Sequence, residues 1–330
     1  IEGFLSRFSI FHGDLDDKES FLKLNVFLDD IDNKLNIKSE KIFYLAISPA
    51  FYFKTLENLK ETKCINAKND SVLVEKPFGR NLKEAEDLNI VLESLVEDVH
   101  VFRVDHYIAK NAMEDILSAH FPKNEPILKI EARIIENNTV GSRGAFYDVT
   151  GVFLDVGQNH LLQMLASAMT ALSSDTTLTN ADALKGLNCI NDSFVRGQYE
   201  GYRDGVGVNR ESNTETYFKI QLKSDNKYFE NTSIVLEAGK GFDRLCAEVI
   251  IYFKNNLAPL KFDFNNQKND SLTPYARIIM GAIEKTQTLF VSKEEVLEEW
   301  RIAEEIIKYW QDTPLLMYEK GSDYHKINNK

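Results

Sequence analysis

Residues 72–104, VLVEKPFGRNLKEAEDLNIVLESLVEDVHVFRV, decide how the chain is to be read. Val72-Leu73-Val74-Glu75 is a short apolar run stopped by Lys76-Pro77, the pattern of a buried strand. Asn81 with Glu84 three residues on forms a capping box ahead of Leu82, Ala85, Leu88, Val91, Leu92 and Leu95, which predicts a helix. Val99 to Val104 then reads as another strand. Toward the N-terminus, Ile42-Phe43-Tyr44-Leu45-Ala46-Ile47 repeats the strand pattern and stops at Ser48-Pro49, with a short helix expected around 50–60. Phe21, Leu24, Phe27, Leu28, Ile31 and Leu35 recur at helical spacing, so an amphipathic helix is expected over 18–35. Strands alternating with helices argue a parallel sheet.

Beyond residue 109 the texture changes. A helix is expected from Lys110 to His120, a strand over Ile127–Ile135, a Gly-bearing loop from Gly141 to Gly151, and a helix from Asp155 to about Leu172. Strand-like runs follow at Thr216–Lys223, Thr232–Leu236 and Ala247–Phe253, joined by polar turns such as Ser224-Asp225-Asn226, which predicts an antiparallel sheet. Ser292 with Glu295 caps a last helix whose Val296, Trp300, Ala303, Ile307 and Trp310 share a face, and Pro314 stops it. The expectation is an α/β half over 1–108 joined to an α+β half over 109–330, the latter with a mainly antiparallel sheet and helices on one face.

Composition bounds the function. The 330 residues carry 51 acidic against 39 basic side chains, a net charge of −12, and a nucleic-acid binder needs a basic face instead. Apolar residues at 43% exclude a disordered chain. Cys64, Cys189 and Cys246 are odd in number and far apart, with neither a disulfide framework nor zinc spacing, so no metal is expected and a reducing compartment is. No apolar run reaches membrane-span length and the N-terminal stretch lacks a signal-peptide layout, so a cytoplasmic location is expected. The chain opens with Ile1 rather than Met.

In open parallel sheets ligands bind at the carboxyl ends of strands. Two segments fall there: Glu75-Lys76-Pro77-Phe78-Gly79, and Arg103-Val104-Asp105-His106-Tyr107-Ile108-Ala109-Lys110. His106, Tyr107 and Lys110 are all donors suited to phosphate oxygens, and Lys110 is expected at a helix start; the segment reads equally as a satisfied surface loop. His160, in Asp155-Val156-Gly157-Gln158-Asn159-His160, is either a neutral core histidine or a base awaiting a carboxylate to orient it, with Asp105 the candidate. Asp155 alone could be a helix N-cap. Lys240, between Gly239 and Gly241, is a solvated turn lysine or a ligand contact on a backbone that allows close approach.

Together these segments resemble the glucose-6-phosphate dehydrogenase family. The Arg-x-Asp-His-Tyr-x-x-Lys run at 103–110 and the Asp-Val-x-Gln-Asn-His-Leu-Leu-Gln run at 155–163 are the specific matches. Tyr44 to Pro49, Gly197-Gln-Tyr199, Thr214-Glu-Thr216, Ala238-Gly-Lys240 and Trp300-Arg-Ile302 follow in the family's order. The resemblance implies a partial Rossmann-like domain and a substrate domain. It implies oxidation of glucose 6-phosphate to the 6-phosphoglucono-lactone, the first step of the pentose phosphate pathway, with hydride passing to NADP, or NAD as the alternative. His160, oriented by Asp105, would be the base. His106, Tyr107 and Lys110 would hold the phosphate, and Glu136, Asp155 and Lys240 the sugar hydroxyls. Lys76 would touch both sugar and cofactor, Pro49 the cofactor, and Arg244 would add charge near the sugar. A homodimer or tetramer would form through the antiparallel sheet.

The sequence also departs from the family. Ala109 and Asn111 stand where glycine and glutamate are usual, Ser48 replaces a common proline, and Phe253 to Leu272 is too short for all the family's strands. No Gly-x-Gly-x-x-Gly or Gly-x-x-Gly-Asp-Leu fingerprint occurs, so the expected first βαβ unit is missing. Either the chain starts inside the coenzyme domain of a longer protein, which the Ile1 start favours, or it is an inactive sugar-phosphate-binding homologue. A parallel sheet without its first strands would expose an edge, so poor solubility is expected.

Overall fold

The computed structural model describes residues 2–122, 125–255, 257–266, 268, 272–310 and 313–329. The chain divides into two compact units, Ile1–Val104 with Ile279–Val291, and Asp105–Ile278 with Ser292–Lys330. The sequence placed a single boundary after residue 108. The return of 279–291 was not legible, because it forms no strand run: Val291 N donates to Arg103 O at 2.9 Å, and the Phe290 ring lies 4.6 Å from that of Phe102.

In the first unit a short helix α1 (Glu2–Leu5) precedes α2 (Lys18–Leu35), which Asp17 caps by accepting from the Glu19 and Ser20 amides. Then come β1 (Ile42–Leu45), α3 (Tyr52–Glu61), β2 (Ser71–Glu75), α4 (Leu82–Glu93) and β3 (Val101–Val104). The sheet is parallel throughout in the order β1-β2-β3, as the alternation of strand and helix required. Asn81 caps α4 by accepting from Glu84 N at 2.8 Å, but the Glu84 carboxylate reaches back past Asn81 to Arg80 N and its guanidinium. The box is therefore half formed, and an ion pair takes the other half.

The second unit holds α5 (Asn111–Ser118), β4 (Ile127–Ile135), α6 (Gly144–Val152), a π-helix over Phe153–Leu161, α7 (Leu162–Leu172), α8 (Asn180–Lys185) and β5 (Leu187–Tyr199). After these come β6 (Tyr217–Ser224), β7 (Ser233–Gly239), β8 (Cys246–Phe253), β9 (Leu260–Asp263), α9 (Pro274–Ile283), α10 (Lys293–Trp310) and β10 (Leu315–Tyr318). Its seven-stranded sheet runs β10-β5-β6-β7-β4-β8-β9 and is mainly antiparallel, with β4–β7 and β10–β5 as the parallel pairs. The strands are not a simple meander, since β4 inserts between β7 and β8. Arg133 on β4 bonds Glu237 on β7 at 2.8 Å and Glu248 on β8 at 3.0 Å, an ion ladder buried across three strands.

The stretch expected as a loop between Gly141 and Gly151 is largely helix α6. Its glycines misled the reading: Gly151, at φ 65° and ψ 175°, is a break between α6 and the π-helix, not part of a loop. A Cβ there would meet Glu215 Oε1 at 2.1 Å, so only glycine fits. Among the described residues no helix is long and apolar enough to cross a membrane.

Candidate active site

Asp105 follows β3 directly, and its turn is closed by Ile108 N donating to Asp105 O at 3.1 Å and Tyr107 N donating to Asp105 Oδ1 at 2.8 Å. That turn aims the carboxylate at the π-helix. His160 Nδ1 lies 2.7 Å from Asp105 Oδ1 and 2.8 Å from Oδ2, with both residues almost fully buried. A carboxylate only accepts, so Nδ1 carries the proton and Nε2 is left as the acceptor. His160 is thus buried as a core histidine would be, yet held by the carboxylate a base needs.

The neighbouring rings fix the imidazole's position. Tyr107 stacks on His160 with centroids 4.3 Å apart, and His106 meets it edge-on at 4.7 Å. Lys110, at the N-cap of α5, places Nζ 3.7 Å from the Tyr107 ring centre. Burial lowers the Lys110 pKa, against the pull of Asp105 and Asp263. Burial also raises the Tyr107 phenol, helped by the charges of Glu136, Asp105 and Asp155. Asp105, His106 and His160 offer ligand atoms within 4.8 Å of one another. Both Asp105 oxygens, however, face one imidazole nitrogen, an arrangement that orients a base more than it cages an ion.

A second group gathers around Lys240. Its Nζ pairs with Glu136 and lies 3.9 Å from Asp155 Oδ2. Lys240 is 3% exposed, which removes the reading as a solvated turn lysine. Tyr318 OH donates to Lys240 O at 2.7 Å, and Lys240 N donates to Thr216 O at 2.9 Å. The flanking glycines are needed for packing as well as for access. A Cβ on Gly239 would meet Phe242 at 2.4 Å, and Gly241 sits at φ +76°.

Asp155 is not an N-cap, since it lies third in the π-helix. A π turn closes i→i+5, which sets residue i+5 above residue i. Asp155 and His160 are that pair, and the wide turn puts both on one face. Arg244 stays half-exposed, bonded to Asp243 at 2.7 Å and 3.7 Å from Asp323. In the first unit, Pro49 begins the helical turn after β1 and Lys76 follows β2, so both stand at carboxyl ends of adjacent strands; the Lys76–Pro77 bond is cis. An ammonium at that edge suits the polar groups of a dinucleotide, while the sequence contains no Gly-rich turn to cradle a pyrophosphate.

Sequence reasoning missed Tyr275, whose ring stacks 5.8 Å from that of His106, and Tyr147, whose ring centre lies 5.7 Å from Lys240 Nζ. Tyr275 directly follows Pro274 at the start of α9, the one local signal that could have marked it. Tyr147 lay in the stretch read as a loop.

Comparison with known proteins places this geometry. The family model described as glucose-6-phosphate dehydrogenase, NAD binding domain, matches residues 1–115, and that described as glucose-6-phosphate dehydrogenase, C-terminal domain, matches 112–261 and 255–328. A glucose-6-phosphate 1-dehydrogenase of Helicobacter pylori strain J99 is 30% identical over 99% of this chain and 82% of its own length. A cytoplasmic glucose-6-phosphate 1-dehydrogenase of Arabidopsis thaliana is 30% identical over 76% of this chain and 53% of its own length. A crystal structure of glucose-6-phosphate 1-dehydrogenase from Mycobacterium avium superposes with a TM-score of 0.82 at 26% identity, covering 97% of this chain and 79% of that one. A glucose-6-phosphate dehydrogenase solved with its substrate shares the fold at a TM-score of 0.85 and 23% identity, covering 97% and 80%. With both domain models matched in sequence and the fold shared along nearly its whole length, the chain belongs to the glucose-6-phosphate dehydrogenase family of nicotinamide-dinucleotide-dependent oxidoreductases.

Proposed function

We propose that the protein oxidises glucose 6-phosphate at C1 to the 6-phosphoglucono-lactone, with NADP as the hydride acceptor. The observation that carries this reading is the two-point contact of His160 Nδ1 with Asp105. It leaves Nε2 to remove the proton of the anomeric hydroxyl while Asp105 stabilises the imidazolium that forms. As the O–H bond breaks, its electrons form the C1=O bond and the C1–H pair leaves as hydride. The dinucleotide, when bound, supplies the ring that accepts it. Water is kept from the base by the rings of His106 and Tyr107 packed against it.

His106, Tyr107 and Lys110 suit the phosphate. A dianion beside Lys110 would offset the burial that now disfavours its charged form. Glu136, Asp155 and Lys240 form an alternating set of acceptors and donor suited to sugar hydroxyls. Lys76 and Pro49 are proposed at the cofactor, Lys76 at the sugar as well, and Arg244 as a peripheral cation. A local concentration of cations is what a chain of net charge −12 needs to hold a dianion. NADP over NAD, assembly as a homodimer or tetramer through the seven-stranded sheet, and a cytoplasmic location are carried from the resemblance. An Asp–His pair formed in full supports turnover over the binding-only alternative.

Protein expressed from the complete gene should form NADPH from glucose 6-phosphate, faster than NADH from NAD. His160→Asn should lower kcat by about 10³-fold or more. Lack of turnover by the wild-type protein would defeat the proposal.

A further inference from the structure

Behind the Asp105–His160 pair lies a carboxyl group that the mechanism does not use. Glu299, on α10, is 1% exposed, and its Oε1 accepts from Gln163 Nε2 at 2.7 Å. Gln163 is fully buried in the first turn of α7, three residues beyond His160 on the same continuous helix. Among the described residues no Lys, Arg or His lies within ion-pairing distance of Glu299.

The titratable groups around it are mostly acidic. Burial above all holds the Glu299 carboxyl well above the usual carboxylate range; the Gln163 N–H bond opposes it, and the charges of Asp105, from the turn after β3, and Glu295, from the preceding turn of α10, add to it. The cations of the neighbouring elements are engaged elsewhere. Arg301 bonds Glu298 at 2.5 Å and the carbonyls of Leu184 and Leu187, Arg196 of β5 bonds Asn213 O at 2.7 Å, and Lys185 of α8 is on the surface. His160, from the π-helix, gives its Nδ1 to Asp105.

A second observation is independent of charge. Gln163 Oε1 is buried with no hydrogen-bond partner. A carboxylate offers that oxygen nothing, whereas a carboxylic acid has an O–H to give. Amide and acid then close a reciprocal ring, N–H to C=O and O–H to C=O, and the orphan is satisfied.

We infer that Glu299 is a positioning residue for the base: as a neutral carboxylic acid it closes a two-bond ring with the Gln163 amide, pins the helix that carries His160, and keeps a second negative charge away from Asp105. This deepens the proposed function and rests on it for the role of His160. An ionised Glu299 would raise the basicity of the imidazole and hold it protonated at pH values where it must accept a proton.

The test uses the complete protein and two variants. Glu299→Gln keeps the ring, with amide N–H in place of acid O–H. Glu299→Leu removes it and leaves both ends of Gln163 unpaired. Across the pH range above the ordinary carboxylate pKa the unfolded chain ionises Glu299 while burial makes the folded one resist ionisation, so wild-type stability falls with rising pH through this residue. The melting temperature of Glu299→Gln relative to wild type should therefore climb across that range. Glu299→Leu should lower kcat by about 10-fold with KM for glucose 6-phosphate within about 2-fold, and Glu299→Gln should recover most of kcat without moving the acid limb of the kcat/KM profile. A melting difference that is flat or declines with pH overturns the inference. So does an acid limb that drops in Glu299→Gln, the mark of a charge removed, or equal kcat in the two variants. Should Glu299→Leu fail to fold, the acid limb and melting profile of Glu299→Gln still decide. The melting comparison needs no turnover, so an inactive wild-type protein would defeat the proposed function and leave the protonation of Glu299 to be judged separately.

Discussion

At the scale of single residues the site depends on which carboxyl groups are charged. Asp105 turns both oxygens to His160 Nδ1 and accepts from Tyr107 N, contacts that suit a carboxylate. Asp105→Asn keeps the size but can hold the imidazole in the wrong tautomer. We expect kcat to fall by roughly 10²- to 10⁴-fold with KM for glucose 6-phosphate nearly unchanged, read from steady-state kinetics. Glu215 is the opposite case. It lines a cavity of about 400 Å³ with Gly151, Phe153, Arg196 and Trp310, and burial raises its pKa to about 7, partly opposed by bonds from Phe153 N and by Arg196. The folded chain keeps this proton where the unfolded chain has lost it, so its contribution is lost as pH rises from about 4.5 to about 7, then levels off. Chemical denaturation should show Glu215→Gln gaining on wild type across that window, by at most about 3 kcal/mol. The motifs named the dyad and the donors but not Glu299 or Tyr275. Those meet the site through partners remote in sequence, Gln163 for Glu299 and His106 for Tyr275, which no local spacing encodes.

At the scale of elements, strands flanked by proline or polar turns were legible, because apolar runs of β-rich composition have few other solutions. The helices α2, α4 and α10 were legible from their period and caps; Ser292 N donates to Glu295 Oε2 at 2.7 Å and Glu295 N to Ser292 Oγ at 3.2 Å, a complete box. What failed was α6, where glycine signals a break but not on which side the helix resumes. β5 and β10 were also missed as strands, since Arg196-Gly197-Gln198 carries no alternation of apolar residues and β10 is four residues long. The order of the large sheet was hidden too, for the Arg133 ladder joins residues more than 100 positions apart. Removing its centre strands two buried carboxylates, so Arg133→Leu should cost about 3–5 kcal/mol in denaturant unfolding, far more than a surface ion pair.

At the scale of the whole molecule, the sheet of the first unit ends at β1, whose Ile42 is 40% exposed. The other edge is partly closed, since β3 is bridged to Val291. An open parallel edge of apolar composition invites pairing with another chain. Residues 1–330 by themselves should therefore associate as concentration rises, seen by light scattering, and Ile42→Lys should reduce it.

The π-helix has a consequence for how this site can change over evolutionary time. Its wide turns hold one residue more than an ordinary helix would across the same span, and that surplus is what lines up Asp155 with His160. Rewinding the same residues as an ordinary α-helix, with none removed, would leave a sound helix, yet it would swing the imidazole around the axis by about 100° and away from its carboxylate. Winding here is as much a part of the geometry as side-chain identity, and a homologue that kept every motif letter but wound this segment as an α-helix would be a folded protein without the Asp105–His160 pair.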